Sequence, residues 1–124
     1  METKPPVDKI LAEVGFDLAE SFKEKDDTDK LETIINKAIG VLIEDGLLAY
    51  VIWLKSREKK EEKYTTKILK KTEDLLRERL KLTTENDPIN MALEISSSIE
   101  KNLLARQLLE RMLVYARYRA KSLR

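Results

Sequence analysis

The 124-residue chain has no histidine and no cysteine, only three glycines and three prolines, and few aromatic residues. Without cysteine there is no disulfide and no thiolate metal site, and nothing calls for an oxidising compartment. Without histidine the commonest general base, the commonest metal ligand and the usual switch near neutral pH are missing. Gly15, Gly40 and Gly46 are too scattered to form a phosphate- or dinucleotide-binding loop. Long apolar runs are absent as well. The longest, LLAYVIWL, is far below the roughly 20 residues of a membrane span, and METKPPVDKI has no apolar signal region. These absences predict a cytoplasmic protein that does not enter a membrane.

What is abundant is Leu, Ile, Lys, Glu and Ala, the residues that favour helices. The expectation is an all-α fold, a compact bundle of about six helices in one domain over residues 1–124. At 38% charged residues the composition resembles that of thermophile proteins. Acids cluster at Asp26, Asp27 and Asp29, but a calcium loop would need a glycine and a spaced terminal glutamate that are missing. Asp87 and Glu94 have no lysine after them at nuclease spacing. No residue set asks for a metal or a cofactor, and the expectation is a protein that is not an enzyme.

Periodicity divides the chain. Val7, Ile10, Leu11, Val14, Leu18 and Phe22 share one face of a first helix expected to end near Lys25. Asp29 and Glu32 read as a capping box opening a second helix, with Leu31, Ile34, Ile35, Ala38, Val41 and Leu42 inward and Gly46 ending it. LLAYVIWLKS reads as a short buried helix, with Trp53 as a core anchor. The polar stretch 57–63 reads as a mobile link or a fraying helix end. Asp87 caps a short helix opened by Pro88, and Ser97 with Glu100 is expected to cap the last one.

Charge is unevenly placed. Although the formal net charge is +1, residues 1–29 carry 4 bases and 9 acids, residues 83–100 carry 4 acids alone, and residues 101–124 carry 7 bases and 1 acid. Blocks of opposite sign suit an electrostatic footprint or copies docking head to tail. On a helix running from Tyr64, Lys63, Lys67, Lys70, Arg77 and Lys81 lie along the side away from the apolar arc, interrupted by Asp74. On the last helix Leu104, Ala105, Leu108, Leu109, Met112, Tyr115, Ala116 and Leu123 are expected inward, with Arg106, Arg117, Lys121 and Arg124 opposite and Arg111 and Tyr118 beside them. Arg119, on the apolar side, must snorkel, pair with an acid or join a contact surface. These stripes are either solvated helix backs or surfaces for a polyanion.

Two stretches carry a family likeness. IGVLIEDGLLAYVIWLKS, in which Gly46 and Leu47 open a short apolar helix ending in Leu54, Lys55 and Ser56, resembles the central signature of the small α-helical subunit of the type III-B CRISPR effector, the Cmr complex. ARQLLERMLVYARYRA resembles that family's terminal helix, with Arg106 followed three turns later by Arg117 and Tyr118. The likeness spans residues 30–58 and 98–121, while the polar run Lys59 to Lys63 departs from the family pattern. It implies a non-catalytic subunit for antiviral defence, stacked in a few copies in a minor filament beside other Cmr subunits. Arg106 and Arg117 would then contact phosphates of the guide RNA and target RNA without reading sequence. The other reading is a helical protein–protein interaction module that touches no nucleic acid.

Overall fold

A computed structural model describes residues 6–123. Among them are six α-helices and no strand: α1 (Val7–Glu20), α2 (Lys25–Asp45), α3 (Leu47–Lys55), α4 (Glu62–Glu73), α5 (Pro88–Ser96) and α6 (Ile99–Ser122). The all-α expectation is met. A 3-10 turn, Lys59–Glu61, leads into α4, and a π-helical segment, Asp74–Arg79, continues from it. In the segment read as a link, Arg57 pairs with Glu61 at 3.1 Å and its guanidinium lies 4.8 Å over the Trp53 ring.

α6 is the element on which the bundle is assembled. α1 runs parallel to it: Asp8 reaches Arg111 and Tyr115, and Glu20 reaches Arg119. α2 runs antiparallel, since Arg106 meets Ile43 and Arg117 meets Asn36. Gly15 sits where α1 crosses α6. A Cβ there would lie 2.6 Å from the Met112 carbonyl oxygen, so the absence of a side chain sets how close the two backbones come.

Gly46 joins α2 to α3 at φ 93° and ψ −177°, a backbone region left almost wholly to glycine. It turns the chain at once into α3, whose Leu47, Tyr50, Val51 and Leu54 are buried. The Tyr50 hydroxyl and Thr72 Oγ1 share a buried hydrogen bond of 2.8 Å that ties α3 to α4. Burial raises the Tyr50 phenol well above its ordinary pKa. Trp53 is only partly buried and packs on the edge of the core rather than anchoring its centre.

Several expected boundaries move. α1 stops at Glu20 because Ser21 closes its last turn, donating from Oγ to the Asp17 carbonyl. Phe22 lies beyond the helix yet is buried, its ring 5.2 Å from that of Tyr64. α2 starts at Lys25, so Asp29 lies inside the helix and the expected capping box with Glu32 does not form. Asp87 caps α5 as expected, accepting from the backbone N–H groups of Ile89 and Asn90. The cap of α6 is Ser98 rather than Ser97. Ser97 still belongs to the last turn of α5, with its N–H bonded to the Leu93 carbonyl, while Ser98 has the extended backbone a cap requires.

Candidate nucleic-acid interface

The π-helical segment decides the fate of the first basic stripe. Its i→i+5 closure, Leu80 N–H to the Leu75 carbonyl at 2.8 Å, holds one residue more per turn than an α-helix, so the face slips. Lys63, Lys67 and Lys70 stay aligned on the outer side of α4. Arg77 is turned away from them. Its guanidinium donates to the Glu85 and Asn86 carbonyls at 3.0 and 3.3 Å and pairs with Glu73 and Glu78, which holds the following loop against the helix. Burial raises the Glu73 carboxyl above its ordinary pKa, against the opposing pull of Arg77. Lys81 is exposed at φ 53°, where the chain leaves the helical path.

Lys63 donates to Asp27 at 2.8 Å, and the Tyr64 hydroxyl donates to the same Asp27 at 2.6 Å. Together they hold the Asp27 carboxyl below its ordinary pKa. Tyr64 moves the other way: burial, then its bond to Asp27, pushes the phenol up to about 12. Lys67 and Lys70 form no ion pair among the described residues; Lys70 is exposed and Lys67 half-buried. Lys59, in the adjoining 3-10 turn, is also exposed.

The stripe on α6 is placed differently from expectation. Its buried side is Ala105, Leu109, Met112, Leu113, Ala116 and Ala120, whereas Leu104 and Leu123 are exposed. At roughly 100° per residue, the inward direction is rotated by about 60° from the one expected, toward α2. Arg106 and Arg117 therefore lie against α2. Arg106 donates to the Ile43 carbonyl at 2.9 Å, where the last carbonyls of α2 favour a cation, and Arg117 donates to Asn36 Oδ1 at 2.9 Å.

Arg111 pairs with Asp8 at 2.5 Å, and the Tyr115 hydroxyl donates to that carboxylate. The Tyr115 bond, followed by Arg111, keeps Asp8 below its ordinary pKa. This cluster was invisible in the sequence, where Asp8 and Arg111 are far apart. Arg119 meets its expectation by pairing with Glu20 at 2.9 Å. Lys121 is exposed and forms no ion pair among the described residues, and Arg124 lies outside them. Of the residues expected in the stripes, Lys70, Lys81 and Lys121 are exposed and Lys67 half-buried, and none of the four forms an ion pair among the described residues.

The cleft beside the 3-10 turn brings together Asp29, Lys30, Lys60 and Glu61 over Ile34 and Tyr64, a balanced lining that selects neither anion nor cation. Among the described residues no group of three or more carboxylates, histidines or cysteines is arranged to hold a metal, and no helix is long and apolar enough to cross a membrane. Compared with known protein families, with curated proteins and with solved structures, the chain finds no match in any of the three.

Proposed function

We propose that the protein is a non-catalytic structural subunit of an RNA-guided effector of the type III-B CRISPR (Cmr) kind, contacting guide or target RNA through phosphates. The observation that carries the reading is the outer face of α4, where exposed Lys70 and half-buried Lys67 stand one turn apart and form no ion pair among the described residues. A backbone phosphate is a point charge that lysine meets without sequence preference. The likeness of residues 30–58 and 98–121 to the small Cmr subunit supplies the biological setting. Arg106 and Arg117, the positions that match the family pattern, serve in the free chain to fasten α6 to α2.

Replacing Lys67 and Lys70 by alanine is expected to weaken association with an RNA-loaded complex equally for all target sequences. The slope of log K against log salt should fall by about one for each phosphate that a lysine no longer neutralises. An unchanged slope would contradict the reading.

The second reading, a helical module that binds proteins, is favoured by one observation: the outward side of α6 exposes Leu103 and Tyr118, at 55% and 58%. In that case the lysine substitutions leave RNA association unaltered, and changes on α6 alter partner binding.

A further inference from the structure

Two of the three glycines are explained by contacts and turns within the chain, and the third is not. Gly15 lets α1 approach α6 and Gly46 turns the chain at positive φ, whereas Gly40 lies inside α2, exposed, with open space where a Cβ would stand. A glycine there loosens the helix, and no contact within the described residues uses the room it leaves. Asn36, Gly40 and Ile43 recur at i, i+4 and i+7 and so share a face of α2. Asn36 meets Arg117 and Ile43 meets Arg106, which places the gap at Gly40 midway along the seam between α2 and α6.

Apolar side chains stand at one end of that seam. Ile43 and Leu103 are about half exposed, and a hollow of about 170 Å³ opens between the two helices, lined by Leu42, Ile43, Leu103, Arg106 and Glu110 among others. Ile99, one turn before Leu103, is 87% exposed. The seam's arginines are held by uncharged atoms, Arg106 by the Leu42 and Ile43 carbonyls and Arg117 by the Asn36 amide oxygen. Each guanidinium keeps N–H groups that meet no acceptor among the described residues, the kind of fork that a carboxylate fits. With exposed Lys37, three cations face two acids, Glu44 and Glu110, and none of the five forms an ion pair among the described residues.

We infer that this seam receives an amphipathic helix of another protein, one with carboxylates beside its apolar side. The partner's apolar residues cover Ile43, Leu103 and Ile99, its backbone comes close to α2 over Gly40, and its carboxylates meet Arg106 and Arg117. Arg117 follows Arg106 by eleven residues, about 16 Å, so the two acids are expected about three helical turns apart. A groove between two packed helices, with apolar anchors at helical spacing, is a shape that a third helix fills. A nucleic-acid backbone would meet the arginines but leave the apolar end uncovered. Docking here rests on the second reading above, that the protein binds proteins, and is separate from RNA contact through α4.

Chemical-shift mapping on the isotope-labelled full chain tests this with a synthetic probe. The probe is a stapled helical peptide of about 18 residues, about 27 Å, with leucines one turn apart on one face and two glutamates about eleven residues apart. Shifts are expected at Gly40, Ile43, Leu103 and the two arginines, and a peptide with lysine in place of both glutamates should leave them unmoved. Gly40→Leu projects into open space, so the chain should fold by circular dichroism and yet bind the acidic peptide roughly tenfold more weakly. Arg117→Gln should weaken binding by about two- to fivefold.

Shifts around Tyr118 with none in the seam would overturn the proposal and leave the protein-binding reading standing. No shift anywhere at millimolar peptide would overturn both. Equal binding of the lysine peptide, full affinity in folded Gly40→Leu, or a seam that responds to oligouridine and not to the acidic peptide would each overturn the proposal.

Discussion

The three glycines separate three physical roles, and the same substitution should give three outcomes. Gly46→Ala forces a side chain into a backbone region reserved for glycine and should cost about 1–3 kcal/mol. Gly15→Ala meets the Met112 carbonyl and the Ala116 backbone N–H at 2.6 and 3.0 Å, so α1 must lift, at about 1–3 kcal/mol. Gly40→Ala enters open space within α2 and should stabilise by about 0.5–1 kcal/mol. Urea unfolding of the three variants checks the order. Tyr64 gives a titration test. Its phenol is raised, so the contact with Asp27 contributes fully below pH 10 and fades as the pH rises through about 12. Asp8 and Asp27 are lowered, so their contribution is present above the ordinary carboxylate value of 3.8 and is lost as the pH falls through their folded values. Absorbance of tyrosinate against pH should show late ionisation of both Tyr64 and the more deeply buried Tyr50, and Tyr64→Phe should remove the earlier of the two steps.

Among the elements, helix identity was legible in the sequence because apolar spacing is a local property. α3 and the cap of α5 follow directly from Gly46, Asp87 and Pro88. The direction in which α6 faces was not legible. Its apolar residues cover more than one side, and the packing of both α1 and α2 selects the row Ala105, Leu109, Met112, Leu113, Ala116 and Ala120 as the buried one. The slip at Asp74–Arg79 was hidden for a similar reason, since it is held by Arg77 reaching carbonyls eight and nine residues onward. Ser97 and Ser98 are chemically alike, and only where α5 ends decides between them. Ser98→Ala should therefore cost about 1 kcal/mol, with Ser97→Ala near neutral, in thermal unfolding. Arg106→Ala should cost about 0.5–1 kcal/mol by uncapping α2 and leave the salt dependence of RNA association unchanged.

Across the whole molecule, the basic residues divide by what they touch. Arginines bind the bundle together: Arg79 to Glu13, Arg111 to Asp8, Arg119 to Glu20 and Arg106 to the end of α2. Lysines do both: Lys63 pairs with Asp27 and Lys71 with Asp17, while Lys67, Lys70 and Lys121 form no ion pair among the described residues. The candidate residues were identified in the sequence as basic, but their division into structural and available cations depends on contacts between distant segments. Cations that tie elements together thus stand beside cations left without a partner, and a phosphate would be met by the latter. The measurement that tests this most directly is to tag the protein in its own host, purify it gently, and combine native mass spectrometry with extraction of the RNA. A large assembly carrying short RNAs of common length and repeat-derived ends is the predicted result. A monomer or small RNA-free oligomer, from cells shown to express Cmr-type subunits, would contradict the account.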